Sequence, residues 1–420
     1  MAMTLDGIFT MNLIFLNRFF YPDHSATSQM LSDLVFGLRK RGHYIRVIAS
    51  RQRYDAPGER LPARETVGGI EVFRVWTSRF GRDKLIGRAV DYATFYVSAA
   101  LTLWRLARAG DIVIAKTDPP MLSVVGASIT RWRGARLVNW LQDLFPEVAE
   151  NLGLDRCQLP GFVYGALRVL RNWSLRAAAM NVAIGDRPAE RLTALGVAPD
   201  RASIIQNWAN GGLIEPIAPA DNALRREWEL NGKFVVEYSG NLGRAHDYRS
   251  LLDAIMRLEG VPPEAPEILW LFVGGGALHG AFARELRARG LKSVLFKPYQ
   301  PLGLLAQSLS VADVHLVCLR PELEGLIVPS KFYGIAAAGR PTIFVGDRDG
   351  EIARIVRRRD LGFAVNQGDG AELAARVLAL ACDPDLCREI GARARKVCED
   401  EFETQIAIDR WVSLLAKLPV

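Results

Sequence analysis

Cysteine, histidine and long apolar runs are scarce in this chain, and each scarcity excludes a class of protein. The 420 residues include five cysteines and five histidines. No Cys-x-x-Cys pair occurs, and the scattered cysteines lack the companion ligands of a zinc site. We therefore predict no metal site and reduced, mostly structural thiols. The cysteines are Cys157, Cys318, Cys382, Cys387 and Cys398.

The lack of long apolar runs argues against an integral membrane protein. No run reaches the roughly 20 residues that cross a bilayer, and the first ten residues lack the features of a signal peptide. Half of the residues are apolar and 24% are charged, a composition typical of globular proteins. A chain of 420 residues exceeds one ordinary core, so we expect two domains in a cytoplasmic protein.

The net charge of +7 is concentrated in the front half of the chain. Residues 1–206 contain 27 Lys and Arg against 18 Asp and Glu, a surplus of +9, which leaves −2 for the remainder. No nucleic-acid-binding motif accompanies the charge, so we expect no nucleic acid partner. Three segments combine Arg with aromatic residues, which is typical of helices lying in a membrane interface. Ordinary amphipathic helices would look the same. The segments are 102–108, 131–133 and 164–176. We predict peripheral contact with the anionic inner face of the cell membrane.

Strand patterns alternate with helical patterns along the chain, which predicts parallel sheets in an α/β fold. The first series of strands is expected at 13–16, 44–48, 70–73, 112–115, 136–140, 181–184 and 203–205. The second series is expected at 234–238, 268–273, 294–296, 314–317, 342–345 and 363–365. Residues 209–229 break the pattern and predict a hinge between domains 1–208 and 230–404. A final amphipathic helix within 405–420 could pack back on the first domain.

The segment from Glu324 to Pro341 follows a buried strand and predicts an anion site. A strand, a polar loop and a helix N-terminus form the place where open α/β sheets bind anions. Lys331 falls in the first helical turn, where the helix dipole disfavours a cation unless an anion is bound. Ser330 after Pro329 is a natural N-cap. Glu324 could accept hydrogen bonds from sugar hydroxyls. A surface lysine and a solvated glutamate are the plain alternatives.

Two glycine-rich turns follow strands of the second domain. In the turn 239–246, Gly240 and Gly243 flank Asn241, and Arg244 offers a two-pronged contact to phosphate. Gly274 and Gly275 form a second turn after the next strand. Turns between strands and helices need glycine in any case, so the pattern alone is weak.

The first domain has polar candidates at corresponding strand ends. The loop after its first strand contains His24 and the small residues Ser25, Ala26 and Thr27. Asp143 follows the strand at 136–140. Its carboxylate could orient or deprotonate an acceptor hydroxyl, or it could cap the next helix. His24 is interpreted as a loop residue, since no partner for a base is specified.

These motifs resemble those of the retaining family 4 glycosyltransferases of the GT-B fold, over nearly the whole chain. The nearest branch is similar to the L-fucosamine transferases of bacterial polysaccharide assembly. The resemblance rests on Val-Gly-Gly-Gly at 273–276, Phe-Lys-Pro-Tyr at 296–299, Ala-Asp at 312–313 and the run 324–341. Tyr-Ser-Gly-Asn-Leu-Gly at 238–243 and Gln-Asn-Trp at 206–208 point to the same branch. It implies an α/β GT-B fold, with two Rossmann-like doubly wound domains facing across a cleft.

The resemblance also implies roles for individual residues. Glu324 matches the first glutamate of the family's pair, which contacts the donor sugar, whereas the second position falls on Gly334. Arg244 and Lys331 would hold the diphosphate, and Asp143 stands where many relatives carry a histidine. The implied donor-binding residues are Gly240, Asn241, Gly243, Gly274, Gly275, Tyr299, Pro329 and Ser330. No cofactor is expected, because the nucleotide sugar is a substrate.

Together these features predict a transferase that moves a hexosyl or N-acetylhexosaminyl group from a UDP-linked donor. The acceptor is expected to be a lipid-linked or other saccharide in surface polysaccharide biosynthesis. Two alternatives remain at this stage. One is a UDP-sugar epimerase of the same fold, and the other is a non-catalytic component of a polysaccharide assembly complex.

Overall fold

The computed structural model describes residues 2–3, 9–23, 25–54, 56, 58–81, 85–153, 160–260 and 266–418. The chain forms two compact units. The first comprises Met1–Gln206, Gly325–Ile327 and Ala407–Val420, and the second comprises Asn207–Glu324 and Val328–Ile406. His24 and Cys157 lie outside the described residues.

The first unit is built on an eight-stranded sheet. Its order is β10-β9-β8-β7-β3-β4-β6-β5, and all neighbours are parallel except β5 and β6. A separate antiparallel pair joins β1 and β2. The strands are β1 (Ala2–Met3), β2 (Phe9–Thr10), β3 (Asn12–Leu16), β4 (Tyr44–Ser50), β5 (Arg64–Val67), β6 (Ile70–Val75), β7 (Ile112–Lys116), β8 (Arg136–Trp140), β9 (Met180–Ala183) and β10 (Ala202–Ile204).

Helices connect these strands and cover the sheet. They are α1 (Ala26–Lys40), α2 (Leu85–Leu106), α3 (Leu122–Arg133), α4 (Glu147–Asn151), α5 (Gly161–Ala177) and α6 (Asp186–Ala194). All five residues of β7 are buried, as expected for a central parallel strand covered on both faces.

The second unit has six strands, all parallel, in the order β13-β12-β11-β14-β15-β16. The strands are β11 (Phe234–Asn241), β12 (Ile268–Gly275), β13 (Val294–Lys297), β14 (Val314–Cys318), β15 (Thr342–Gly346) and β16 (Gly362–Asn366). Its helices are α7 (Ala223–Glu227), α8 (Arg249–Leu258), α9 (His279–Ala288), α10 (Leu305–Ser310), α11 (Lys331–Ala337), α12 (Glu351–Arg358), α13 (Gly370–Cys382) and α14 (Pro384–Val397). The last helix, α15 (Thr404–Ala416), lies mostly in the first unit, which resumes at Ala407.

The predicted α/β class with two Rossmann-like parallel-sheet domains is confirmed. The antiparallel edge strand β5 was not predicted from the sequence. It pairs with β6 through Gly68 and Gly69, whose φ values of 57° and 79° suit the tight two-residue turn of a hairpin. The Gly-Gly pair before Ile70 was the signal for this strand.

Two pieces from late in the chain complete the first unit. The Leu144 amide donates to the Leu326 carbonyl at 2.8 Å, which fixes the segment 325–327 beside β8. On the last helix, α15, the Trp411 ring lies 5.2 Å from the Trp140 ring. The predicted linker 209–229 belongs to the second unit and contains α7. Its role as a hinge stays a prediction.

A buried arginine holds together the beginning of the second sheet. Arg225 donates to the carbonyls of Val311 and Lys233 at 2.7 and 2.6 Å, and it pairs with Asp313 at 3.1 Å. Asp313 in turn accepts the Val235 amide at 2.7 Å. The guanidinium therefore satisfies three acceptors from two separate segments at once.

We expect Arg225→Met to lower the free energy of unfolding by about 3 kcal/mol, because it leaves the Asp313 carboxylate without its cationic partner and two carbonyls without this donor. Urea unfolding measures this loss. The neighbouring Arg226 is exposed, and among the described residues it donates only to the Ala220 carbonyl, so Arg226→Met is the matched control. Equal losses from the two variants would contradict the role of Arg225.

Candidate functional site

The second unit gathers glycines at the carboxyl ends of two adjacent strands. Gly240 pairs with Gly274, and Asn241 pairs with Gly275, at the ends of β11 and β12. A Cβ on Gly274 would lie 2.4 Å from the Gly240 carbonyl oxygen, and Gly274 has a φ of 128°. Only glycine allows this close backbone approach. The structure therefore brings together two turns that the sequence placed far apart.

Tyr299 lies against the second of these turns. Its ring carbons would be 3.1 and 3.5 Å from a Cβ on Gly274 and on Gly275, and 60% of the residue is exposed. The ring thus lies flush against bare backbone with much of its surface open to solvent. An exposed aromatic ring in this position can stack on a flat ligand group.

Lys331 stands at the first position of α11, beside the same turns. Its Nζ lies 3.5 Å from the centroid of the Tyr238 ring and 3.8 Å from the place that a Cβ on Gly240 would take. The atom is buried and has no hydrogen-bond partner among the described residues. Burial lowers the pKa of Lys331 to about 7, although Cys318 and Glu237 act in the opposite direction. A buried ammonium without a hydrogen-bond acceptor is suited to receive an anion.

Arg244 lies in the turn after β11, on its exposed side. The turn is fixed to the end of β14, because the Arg320 amide donates to the Ala245 carbonyl at 3.0 Å. His246 Nδ1 lies 2.8 Å from the Cys318 carbonyl. Burial lowers the pKa of His246 to about 4, so the ring is neutral and adds no charge to the site. We call Gly240, Asn241, Gly243, Gly274, Gly275, Tyr299, Arg244 and Lys331 the rear site.

The loop before Lys331 differs from the sequence prediction in one detail. Ser330 occupies the N-cap position of α11, but its side chain makes no capping hydrogen bond. Its backbone is already helical, with φ −66° and ψ −20°, which turns the hydroxyl away from the capping geometry. Ser330 is exposed, and Pro329 accepts the Phe332 amide at 3.4 Å.

Glu324 is only 2% exposed and binds another element of the second unit. Its Oε2 accepts the Glu351 amide at 3.1 Å, in the first turn of α12. A Cβ on Gly350 would lie 2.2 Å from Oε1, so the absence of a side chain there makes room for the carboxylate. The geometry gives Glu324 a structural role at the helix N-terminus, which favours a negative charge. Contact with a donor sugar stays a prediction.

Gly334, at the position of the family's second glutamate, has aliphatic surroundings. A Cβ there would lie 3.4 Å from Leu309 Cδ1 and 3.8 Å from Ile214 Cδ1. No acidic atom is among the nearest neighbours of that position.

The first unit carries a second polar cluster, the front site, made of Ser25, Ala26, Thr27, Lys116, Asp118 and Asp143. Lys116 Nζ donates to the Thr27 carbonyl at 2.7 Å, and the Thr27 hydroxyl donates to Asp118 at 3.2 Å. These bonds hold the start of α1 against the end of β7. The Asp23 carboxylate accepts a hydrogen bond from the Ser25 amide at 2.8 Å. The Ser25 hydroxyl has no hydrogen-bond partner among the described residues.

Asp143 follows β8, and its amide is 3.3 Å from the Thr117 hydroxyl. The surrounding protein raises the pKa of Asp143, the Asp118 carboxylate raises it further, and the Lys116 ammonium opposes both. Asp143 itself is exposed to solvent. An accessible carboxylate with a raised pKa is suited to accept a proton from a hydroxyl.

Sequence reasoning missed Lys116. The side chain is 1% exposed, and its Nζ lies 4.2 Å from the centroid of the Trp140 ring. Burial lowers its pKa to about 7, although Asp118 and Asp143 act in the opposite direction. The signal was a lysine that ends an otherwise apolar strand, Ile-Val-Ile-Ala-Lys, immediately before a polar turn.

Among the described residues, no group of three or more His, Cys, Asp or Glu side chains could hold a metal ion. Within the same part of the chain, none of the helices is long and apolar enough to cross a membrane. The predictions of a metal-free and cofactor-free protein stay predictions.

Comparison with known structures decides the fold. The crystal structure of Anabaena Alr3699/HepE in complex with UDP and glucose matches with a TM-score of 0.71 at 18% identity, over 97% of this chain and 100% of that one. The fold is GT-B. Residues 26–208 of this GT-B chain match the model of the "Glycosyl transferase 4-like domain".

Two curated proteins are similar over most of the GT-B chain. The "Probable glycosyltransferase WbjE" of Pseudomonas aeruginosa is 27% identical over 81% of this chain and 83% of its own length. The "Putative colanic acid biosynthesis glycosyl transferase WcaI" of Escherichia coli K12 is 24% identical over 80% of this chain and 83% of its own length. None of these names supports the specific resemblance to L-fucosamine transferases.

The contact between Gly350 and Glu324 generates a prediction about stability. Gly350→Ala places a methyl group against the Glu324 carboxylate, and we expect it to cost about 1–3 kcal/mol of unfolding free energy. In a Glu324→Ala background the same substitution should cost less, because the obstructing oxygen is gone. Urea unfolding of the four proteins measures the coupling.

Gly303→Ala is the matched control for that cycle, because a Cβ on Gly303 meets no atom within 4 Å. Additive losses from Gly350→Ala and Glu324→Ala would show that the two positions are not in contact.

A second prediction concerns the pH dependence that Lys331 gives to stability. Its pKa is about 7 in the folded protein and about 10.5 when unfolded, so the folded state holds fewer protons between these values. Burial of the charged ammonium lowers the free energy of unfolding. This loss becomes smaller as the pH rises from about 7 to about 10.5, because the folded protein releases the proton first. We therefore expect Lys331→Met to be more stable than wild type at pH 6, with a difference that shrinks toward pH 10.

Urea unfolding at three pH values tests this expectation. Lys417→Met, at an exposed lysine, is the control that should show no such trend. A Lys331→Met difference that stays constant with pH would contradict a buried ammonium.

Proposed function

We propose that this protein is a retaining glycosyltransferase that moves a hexosyl or N-acetylhexosaminyl group from a UDP-linked donor. The acceptor is a lipid-linked or other saccharide in surface polysaccharide biosynthesis. The observation that carries the proposal is the buried Lys331 ammonium, which has no hydrogen-bond partner among the described residues and lies beside the glycine turns of β11 and β12.

The rear site supports the donor half of the reaction. Loss of the sugar leaves a diphosphate, whose growing negative charge needs nearby donors. Lys331 supplies an ammonium, Arg244 a guanidinium fork and the turns at Gly240 and Gly274 close access to backbone. These groups would perform the charge stabilisation without a metal. The open ring of Tyr299 would cover a flat part of the nucleotide.

The front site supports the acceptor half. The raised pKa of Asp143 lets its carboxylate hold a proton from the acceptor hydroxyl at near-neutral pH. Lys116 and Asp118 act on the start of α1, where they fix the position of Thr27. Their bonds would keep this segment in one shape while an acceptor binds.

The names of similar proteins support the same reading. WbjE and WcaI are named as glycosyltransferases, and WcaI as one of colanic acid biosynthesis. Complexes of Alr3699/HepE contain UDP alone, UDP with glucose, or UDP-glucose. A transferase in polysaccharide assembly with a UDP-sugar donor is the function that agrees with both the names and the rear site.

The two alternatives make different demands on the structure. An epimerase would need further acid and base groups around the sugar, whereas Glu237 and His315 are fully buried in the core of the second unit. A non-catalytic component would have no reason to keep a buried ammonium at a cost to stability. Binding and turnover measurements separate the three functions.

Titration calorimetry with UDP tests the donor site directly. We expect Lys331→Met to weaken UDP binding by about tenfold to a hundredfold, the usual effect of losing one charged hydrogen bond. Adding Arg244→Gln should weaken it further. Wild-type affinity should fall as the pH rises above about 7, because the ammonium then loses its proton.

Arg284→Gln is the control, since Arg284 is exposed on α9 and should not affect UDP. Transfer from UDP-sugars to a lipid-linked acceptor should be lost in the Lys331 and Arg244 variants. Undiminished transfer in the double variant would overturn the mechanism, and a wild-type protein that does not bind UDP would support the non-catalytic alternative.

A further inference from the structure

Helix α2 of the first unit displays an apolar stripe to solvent. Val90, Ala93, Val97, Leu101 and Trp104 follow one another at spacings of three and four residues, so they share one face of the helix. All five are exposed, with values of 61% for Val97, 56% for Leu101 and 46% for Trp104. The outer face of a helix that meets water is normally polar.

The opposite face of α2 is apolar as well. Phe95, Ala99, Leu103 and Ala107 are fully buried and belong to the core of the first unit. The one acid of the helix, Asp91, is buried and accepts from the Ser78 hydroxyl and the Phe80 amide. A helix that is apolar on both sides is typical of a buried location, so the outer stripe needs a covering partner.

Arginines and tryptophans gather where α2 and α3 end. Arg133 Nε donates to the Ala107 carbonyl at 2.8 Å, and its guanidinium lies 5.5 Å from the Trp104 ring centroid. Trp132 beside it is 78% exposed. Arg105, Arg108 and Arg131 are exposed at the same helix ends, and no ion pair occupies them within the described chain.

From this arrangement we propose that the outer surface of α2 and the end of α3 docks on an anionic lipid bilayer. We call it the α2–α3 face, made of Val90, Ala93, Val97, Leu101, Trp104, Arg105, Arg108, Arg131, Trp132 and Arg133. The apolar stripe enters the boundary between headgroups and acyl chains, tryptophans lie at that boundary, and arginines meet lipid phosphates. The proposal does not depend on the transferase reaction.

The charges favour a bilayer over other partners. A symmetric contact with a second copy would pack this face against itself, and the face contains four arginines and no acid to pair with them, which is unfavourable. Nucleic acid would satisfy the arginines but leave the stripe from Val90 to Leu101 in water. An anionic bilayer satisfies both the apolar and the basic parts of the face.

Helix α5 adds a second exposed apolar row to the first unit. Phe162, Val169 and Leu170 are 78%, 66% and 46% exposed. The hydroxyls of Ser123 and Ser174 lie 2.9 Å apart, which joins the first turn of α3 to the last turn of α5.

Co-sedimentation with vesicles tests the proposal. The full chain should bind vesicles of phosphatidylcholine with phosphatidylglycerol, and bind pure phosphatidylcholine far less. The triple variant Arg105→Gln, Arg108→Gln, Arg131→Gln should lose at least about tenfold in binding to the anionic vesicles. Part of the wild-type binding should persist at high salt, because salt does not screen apolar contacts. The double variant Val97→Ser, Leu101→Ser should lose this salt-resistant part of the binding.

A charge-matched control separates this face from net charge. Arg284→Gln, Arg287→Gln and Arg357→Gln remove the same charge from exposed positions of the second unit and should bind vesicles as wild type does. UDP titration of every variant reports whether the protein is still folded. It also shows whether a loss of vesicle binding occurs without a loss of UDP binding.

Three results would overturn the proposal. They are equal vesicle binding by wild type and both face variants, equal loss in the control, and a change of oligomeric state in sedimentation velocity without loss of vesicle binding. The last result would assign the face to a second copy of the chain.

Discussion

A buried positive charge is the constraint on which the candidate function depends. Lys331 carries its ammonium into a space bounded by the Tyr238 ring and bare backbone, where it has no hydrogen-bond partner among the residues that the structure describes. Such an arrangement weakens the folded protein and is tolerated when a ligand of opposite charge restores the balance. The fold surrounds this charge with fixed parts. The glycine turns come from adjacent strands in strict register, and Cys318 and Glu237 lie close enough to influence the lysine.

The first unit also contains a buried lysine beside an aromatic ring, Lys116. This residue ends strand β7, whereas Lys331 begins helix α11. Lys116 also differs from Lys331 because the Thr27 carbonyl already accepts a hydrogen bond from its Nζ at 2.7 Å. One lysine therefore fixes a loop, and the other remains available to a ligand. The distinction lies in partners, not in residue type.

Much of the fold could be predicted from the sequence, since alternating apolar runs and helical patterns identify parallel strands by themselves. The strand at Arg136–Trp140 was predicted with the bounds the structure has, whereas β11 continues beyond Tyr238 to Asn241. The functional positions were harder. Lys331 was found because a cation at a helix start conflicts with the dipole, while Lys116 was missed because it ends an apolar strand without such a conflict. The partner of Glu324 could not be predicted, because Gly350 is distant in sequence and its lack of a side chain makes room for the carboxylate.

The path of the chain between Glu324 and Val328 limits how these proteins can be recombined. Residues 325–327 belong to the first unit, although the residues on either side belong to the second, and Leu326 is anchored by the Leu144 amide. In a chimera made by a single crossover after Gln206, residues 325–327 and the C-terminal helix would come from the other parent. The partners of Leu144 and Trp140 in the first unit would then be replaced. Exchange of the second unit between similar chains therefore requires grafts that retain the host's own residues 325–327 and C-terminal helix.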